Sequence, residues 1–198
     1  MKKKLKAPFL ALGITLGAMS LTACVELAVA TAAITTVDII HDRRTAGSYF
    51  DDGGIELEMN KLLFGSKRMR SQAHVNPTSY NGILLLTGEV TSEEIKREIV
   101  EYANRIYGAR QVVDETRISG KTGLLSRTSD TVLTGKVKST LVLRMKTIAN
   151  QIKVVSEHGN VYLMGIVTEE EANRATEIAR TVGGVVRVVR VFEIKTDL

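Results

Sequence analysis

The sequence contains one cysteine, two prolines and no tryptophan, and only 5% of its 198 residues are aromatic. A single cysteine excludes an intramolecular disulfide, so the fold must be held together by packed apolar surface, which is mostly aliphatic here. After the first 23 residues, long apolar runs are also missing. Glu26 and Asp38 interrupt the closest one, residues 25–40, and a membrane-spanning helix needs about 20 apolar residues.

The first 23 residues have the pattern of a secretory signal peptide. Four lysines precede an apolar run that ends in Leu21-Thr22-Ala23-Cys24. A charged start, an apolar run and small residues before a cleavage site are typical of such signals. The cysteine at this place resembles a bacterial lipobox, which implies a covalent diacylglycerol and an N-acyl chain on Cys24 and no other cofactor. A secretory signal with a chance cysteine and an N-terminal membrane helix are the alternatives.

Removal of this leader also removes most of the positive charge. Four of the 27 basic residues lie in it, so 23 basic and 22 acidic residues remain. This near balance argues against nucleic-acid binding, which normally needs a strong basic excess. Residues 24–50 are apolar at first and then polar, and we interpret them as an acylated tether with little fixed structure. A short amphipathic helix is the alternative for this segment.

From residue 51 the chain repeats itself, and each copy begins with three apolar residues spaced four apart, as on one face of a helix. These triads are Ile55, Met59 and Leu63 in the first copy and Leu133, Val137 and Leu141 in the second. Asp52 and Asp130 stand three residues before the triads and are predicted to cap the two helices.

Two β-rich runs follow each of these helices. They cover residues 71–80 and 83–90 around Asn81-Gly82, and residues 152–157 and 161–167 around a turn at 158–160. Thr91 and Thr168 are each predicted to open a second helix with a capping box. These helices are predicted to end near glycines at 108 and 183–184, before a valine-rich strand.

Each copy therefore has the order helix, strand, strand, helix, strand. The predicted fold class is α+β, with two tandem units that each pack a three-stranded sheet on two helices. The first unit covers residues 51–118 and the second residues 129–198, with a glycine-bearing linker at 119–128.

The duplicated pattern behind a lipobox resembles the dual BON-domain outer-membrane lipoproteins, the DolP/YraP-like group. The residues that carry the resemblance are Val161, Leu163, Gly165, Val167 and Thr168 as Val-x-Leu-x-Gly-x-Val-Thr, the matching Gly88, Asp51-Asp52-Gly53, Ser129-Asp130-Thr131 and the stretch 161–172. The resemblance implies a non-enzymatic lipoprotein that is anchored in the outer membrane, faces the periplasm and supports outer-membrane integrity. Val25 after the acylated cysteine is consistent with sorting to that membrane.

In the group that this chain resembles, the first helix of the second domain binds anionic phospholipid such as phosphatidylglycerol or cardiolipin. By the same helical spacing, the expected phospholipid-binding residues here are Val132, Lys136, Lys138, Val142 and Leu143. Residues 51–118 carry 9 basic and 11 acidic residues, whereas residues 119–198 carry 12 and 8, which favours the second unit for anionic lipid.

Two points qualify this expected site. Related proteins can carry an aromatic wedge where Val132 stands, so insertion by this chain is expected to be shallower. A solvated helix face is the alternative for the two lysines.

A protein-binding scaffold that acts on the outer-membrane protein assembly machinery, with lipid only as an anchor, is the alternative function. No catalytic or metal-binding set stands out, because His41, His74 and His158 share no ligand spacing. His158 is expected to be exposed in its hairpin turn. The basic residues 67–70 are interpreted as a loop surface, with a minor contact to a membrane or a partner as the alternative.

Overall fold

The computed structural model of the protein describes residues 43–119 and 124–196, which contain two copies of one helix–strand–strand–helix–strand topology. The first copy consists of α1 (Ala46–Gly65), α2 (Lys67–Gln72), β1 (Ala73–Tyr80), β2 (Ile83–Val90), α3 (Glu93–Ala103) and β3 (Gln111–Ile118). The second consists of α4 (Leu124–Met145), a 3-10 helix (Lys146–Gln151), β4 (Ile152–Glu157), β5 (Asn160–Val167), α5 (Glu169–Arg180) and β6 (Arg187–Ile194). The predicted α+β fold class is confirmed.

The first helix of each domain begins before the domain boundary predicted from the sequence, at residue 51 or 129. Helix α1 starts at Ala46 because the Thr45 side chain accepts a hydrogen bond from the backbone N–H of Ser48 at 3.1 Å. Helix α4 starts at Leu124, within the stretch interpreted as a linker. The signal peptide, Cys24, His41 and linker residues 120–123 lie outside the described residues.

The basic residues 67–70 do not form a loop, and the first strand begins two residues later than predicted. They belong to α2, whose N-cap is Ser66, and Met69 is buried in the core. Arg68 forms ion pairs with Glu98 at 2.5 Å and with Glu94 at 3.1 Å. One of these basic residues, Arg68, therefore links α2 to α3. Strand β1 starts at Ala73.

Each sheet has its second strand in the centre. Strand β2 pairs antiparallel with β1, where Tyr80 lies opposite Ile83, and parallel with β3, where Leu84 lies opposite Val112. Strands β4, β5 and β6 repeat this arrangement. The parallel pairs are possible because α3 and α5 carry the chain back along the sheet.

Alternate residues of the central strands pack on opposite sides. Leu84 and Leu86 contact the helices of their own domain, while Ile83 and Leu85 point to the other sheet. The same alternation holds in β5. The two sheets therefore pack face to face and the helices cover the two outer sides. The buried residues between the sheets are Tyr80, Ile83, Leu85, Tyr162, Met164, Ile166 and Val191.

Ion pairs surround this apolar contact between the domains. They join Arg187 to Glu115, Arg110 to Glu193 and Lys153 to Glu56, and beside them the imidazole of His158 contacts the carboxylate of Glu89. The prediction that His158 is exposed is wrong. Its Nε2 lies 2.8 Å from Glu89 Oε1 and its side chain is only 16% exposed, because the turn that carries it packs against the first domain.

The prediction that the two aspartates cap helices is also wrong. Asp52 is buried inside α1 and binds the β1–β2 turn. Its carboxylate accepts hydrogen bonds from the backbone N–H of Asn81 at 2.7 Å, the N–H of Gly82 at 2.8 Å and the hydroxyl of Ser79 at 2.6 Å. Arg44 completes the site with an ion pair at 2.8 Å.

Asp130 holds the β4–β5 turn in the same way, and accepts from the N–H groups of His158 at 2.9 Å and Gly159 at 3.1 Å. Both turns have two successive residues with positive φ, at 50° and 75° in the first and 51° and 75° in the second. This is the type I′ geometry of tight hairpins. Each aspartate thus joins the first helix of a domain to its hairpin.

The repeated glycine of the sequence pattern marks a close approach of two backbones. A Cβ atom at Gly88 would lie 2.1 Å from the carbonyl oxygen of His74, and one at Gly165 would lie 2.5 Å from that of Gln151. Gly88 also has a φ of 113°. No side chain fits at either place without movement of the neighbouring backbone.

The capping box predicted at Thr168 is confirmed, with Glu171 as its second member. The one predicted at Thr91 is wrong by one residue. The N-cap of α3 is Ser92, whose side chain accepts from the N–H of Ile95, because Thr91 is still hydrogen-bonded through its N–H to Gln72.

Candidate membrane-binding site

The outer face of α4 carries exposed apolar side chains. Leu133, Val137 and Leu141 are buried in the core, which leaves the opposite side of the helix in solvent. There Val132 is 51% exposed, Val142 42% and Leu143 80%. Val132 and Leu143 are eleven residues apart, or three helical turns, and so lie on one line along the helix.

Two lysines border this apolar line. At 100° per residue, Lys136 lies beside the line from Val132 to Leu143, and Lys138 lies beyond Val142 on the other side. Both are exposed, and neither enters any of the ion pairs found among the described residues. The structure thus brings the five predicted residues to one exposed surface, which we call the α4 face.

A groove of ≈ 310 Å³ runs along the edge of the α4 face. Its lining residues are Lys136, Ser139, Thr140, Arg144, Thr181, Val182 and Gly183. The guanidinium of Arg144 lies 3.5 Å from the hydroxyl of Thr181. Two cations and three hydroxyl groups in one shallow groove form a suitable surface for a phosphate group, because guanidinium and ammonium groups both bind phosphate oxygens.

Sequence reasoning missed this groove. Arg144 directly follows Leu143, so its position on the helix could have been noticed from the spacing. Thr181 to Gly183 come from the loop after α5, and no local pattern indicates that they lie beside α4. Arg174 adds a contact between the two helices, since it donates to the carbonyl oxygen of Arg144 at 3.0 Å.

The N-terminal end of the described chain is fixed to the second domain. Arg43 donates through its backbone N–H to Gln151 at 2.9 Å, and through its guanidinium to the carbonyl oxygen of Ile166 at 3.0 Å. It also forms a two-pronged ion pair with Glu171, at 2.6 and 2.9 Å. The hydrogen bond from Arg43 holds the pKa of the Glu171 carboxyl below its usual value. The chain therefore reaches the first domain by way of the second.

The corresponding helix of the first domain has a different surface. Where Lys136 stands in α4, α1 has Glu58, which pairs with Lys61 at 2.7 Å. The hydrogen bond from Lys61, followed by that from Tyr102, lowers the pKa of Glu58. The two copies therefore differ in charge at their most comparable exposed surface, and the cationic one belongs to the second domain.

Two searches of the described residues gave no site. None of their helices combines the length and the apolar character needed to cross a bilayer. No group of three or more His, Cys, Asp or Glu side chains among them is arranged to hold a metal ion. His74 and His158 belong to different domains, in β1 and in the β4–β5 turn.

Comparison with known proteins identifies the family. The BON domain model matches residues 51–120 and 129–196. The chain is 32% identical over 188 residues to the outer membrane lipoprotein DolP of Haemophilus influenzae, a match that covers 94% of this chain and 97% of that protein. It is 30% identical over 151 residues to the 21 kDa hemolysin of Actinobacillus pleuropneumoniae, covering 76% of this chain and 78% of that one.

Among solved structures, the C-terminal domain of CdsD, a structural protein of the type III secretion system of Chlamydia trachomatis, shares 16% identity with a TM-score of 0.29, over 73% of this chain and 67% of that one. That value is too low to bear on function. The two matched BON domains and the DolP relative, which aligns with nearly the whole chain, are sufficient by themselves to identify the family. This chain belongs to the family of dual BON-domain outer-membrane lipoproteins.

Proposed function

We propose that this lipoprotein is acylated on Cys24, faces the periplasm from the outer membrane, and binds anionic phospholipid with the α4 face of its second domain. In this role it supports the integrity of the outer membrane. The observation that carries the proposal is the exposed apolar line of α4 with lysines on both sides and a cationic groove along its edge.

The α4 face has the chemistry of a helix that lies in the plane of a membrane surface. Leu143 and the two valines would enter the acyl region, while Lys136, Lys138 and Arg144 would meet headgroup phosphates. Partial burial of these three apolar side chains is worth about 3 kcal/mol, and each cation near an anionic surface adds about 1 kcal/mol. The sum corresponds to weak binding, which alone does not hold a protein on a membrane.

The lipid anchor compensates for this weakness. Arg43 lies nineteen residues after Cys24, and a segment of that length spans at most about 65 Å when extended. Arg43 is fixed to Gln151, the last residue of the 3-10 helix that follows α4. The anchored end of the chain therefore leads to the domain that carries the α4 face. Tethering at this distance keeps the face at a high effective concentration near the bilayer.

The test uses flotation of the chain that begins after Cys24 with vesicles of neutral lipid and with vesicles that contain phosphatidylglycerol. We expect binding to the anionic vesicles only. The double variant Lys136→Glu/Lys138→Glu should weaken that binding by at least tenfold, because it removes two attractive charges and adds two repulsive ones.

The matched control is Arg97→Glu/Arg105→Glu, which makes the same change in net charge at exposed positions of the first domain. This control should bind anionic vesicles nearly as well as the unchanged chain. Equal binding to both kinds of vesicle, no binding to either, or the same loss in both double variants would each contradict the proposal.

A further inference from the structure

Helix α1 exposes a line of large apolar side chains that no part of the described chain covers. Phe50 is 71% exposed, Leu57 61% and Phe64 60%. They are seven residues apart, so they lie on one side of the helix along about 21 Å of its length. Contiguous exposed apolar surface of this kind usually marks an interaction site.

Two glycines interrupt the same side of the helix. Gly53 and Gly54 lie between Phe50 and Leu57, and a Cβ atom on either would meet nothing within 4 Å. Neither has the positive φ that requires glycine. Glycine disfavours a helix relative to alanine, so the packing of the described chain gives no reason for two of them. Close approach of another backbone from outside does give one.

The arrangement on this side of α1 is symmetric about Leu57. Phe50 and Phe64 lie seven residues before and after it, and the glycines lie three and four residues before it. Asn60 and Lys61 occupy the matching places after it. If a second α1 packs antiparallel across a two-fold axis at Leu57, each Phe50 meets a Phe64 and the larger Asn60 and Lys61 lie over the glycines.

The charges on this surface favour protein over anionic lipid. Glu58 and Lys61 neutralise each other within the helix at 2.7 Å. A groove of ≈ 460 Å³ beside Gly54, lined in part by Tyr102 and the fully exposed Tyr107, leaves room for side chains of a partner. Helix α1 also lies on the opposite outer side of the paired sheets from α4, so the same flat bilayer does not cover both helices.

We propose that α1 pairs with α1 of a second copy of this chain, antiparallel and across a two-fold axis at Leu57. The three apolar side chains of two copies would bury roughly 700 Å², which is in the range of weak and transient contacts. Such an association forms at high protein concentration. Because the pair carries its two α4 faces at opposite ends, one bilayer can bind only one of these faces at a time, so the pairing does not require both copies to lie on the membrane by α4.

Cysteine cross-linking tests the register directly. The chain that begins after Cys24 contains no cysteine, so an introduced cysteine can form a disulfide only with an introduced cysteine of another molecule. Under mild oxidation at high protein concentration, Leu57→Cys should give a disulfide-linked dimer. Phe50→Cys and Phe64→Cys should cross-link several-fold better when mixed than either does alone. The matched control is Leu143→Cys on α4, which is more exposed than Leu57 and should nevertheless give only background.

A second pair of measurements separates association from folding. The variant Gly53→Ala/Gly54→Ala should unfold at a higher temperature, because alanine favours the helix, yet reduce the dimer yield of Leu57→Cys several-fold. A Leu57→Cys yield no higher than that of Leu143→Cys overturns the proposal. So does stronger cross-linking of Phe50→Cys with itself than with Phe64→Cys, or a dimer yield that the alanines leave unchanged.

Discussion

The buried aspartate of α1 offers a quantitative test of how the first helix and the hairpin of each domain are joined. The carboxylate of Asp52 accepts from three groups of the hairpin and from Arg44, whereas Asp130 accepts from two backbone N–H groups. Substitution by asparagine keeps the shape of either side chain. It replaces one accepting oxygen by an NH₂ group that cannot accept.

The expected losses differ because only Asp52 has an arginine partner. In Asp52→Asn, the better orientation turns the NH₂ group toward Ser79, whose hydroxyl can accept, but it displaces the N–H of Gly82 and leaves Arg44 without an anionic partner. In Asp130→Asn, one backbone N–H is displaced and no ion pair is lost. Each hydrogen bond to a charged group is worth about 1.5–3 kcal/mol, so we expect a loss in free energy of unfolding of about 4 kcal/mol for Asp52→Asn and about 2 kcal/mol for Asp130→Asn. The cation–π contact of Arg44 with the Tyr80 ring, at 4.1 Å, limits the larger loss.

The assay is urea unfolding of the chain that begins after Cys24, with thermal melting as a second measurement. For a chain of this size, losses of that order lower the melting temperature by roughly 10 °C for Asp52→Asn and roughly 5 °C for Asp130→Asn. Equal losses for the two variants, or a loss below about 1 kcal/mol for Asp52→Asn, would show that the sheet alone holds the turns.

Two further predictions concern the dependence of stability on pH. Glu171→Gln preserves the capping box, since glutamine also serves there, but loses the ion pair with Arg43. We expect it to cost about 1–2 kcal/mol at pH 7. Because the pKa of Glu171 is lowered from 4.5, the contribution of the ion pair exists above that pH and disappears as the pH falls below it. Equal losses in urea unfolding at pH 7 and at pH 3 would contradict this. Glu157 has the opposite sign, since burial raises its pKa above 4.5. The fold then favours its protonated form, and stability declines as the pH rises through the raised value. Glu157→Gln should flatten that decline in unfolding measurements above pH 4.5, and an unchanged slope would refute the assignment.

The parts of the fold that follow from local patterns could be read from the sequence. Strand β2 was predicted with its bounds because Asn81-Gly82 fixes one end and the turn into α3 fixes the other. The apolar triads of α1 and α4 were predicted because a spacing of four residues is specific for one helix face. The capping box at Thr168 also depends only on neighbours in sequence.

The parts that depend on distant partners could not be read in this way. Asp52 looks like a helix cap because Thr45, the actual cap, lies outside the repeat, and the N–H groups that Asp52 binds are 29 and 30 residues away. The anchoring of Arg43 to Glu171 joins residues 128 apart. The contact between the sheets did leave a signal. The unbroken aliphatic run at 83–86 lacks the alternation of a strand with one wet side.

The face-to-face sheets fix the distance between the two outer helices α1 and α4. Sheets pack about 10 Å apart, and a helix has a diameter of about 10 Å, so the axes of α1 and α4 are separated by roughly 30 Å. When α4 lies at the lipid headgroups, as proposed above, the outward surface of the first domain is held away from them. Substitutions on the outward surface of the first domain should therefore leave lipid binding unchanged. The functions of the two domains can then be tested separately by mutation.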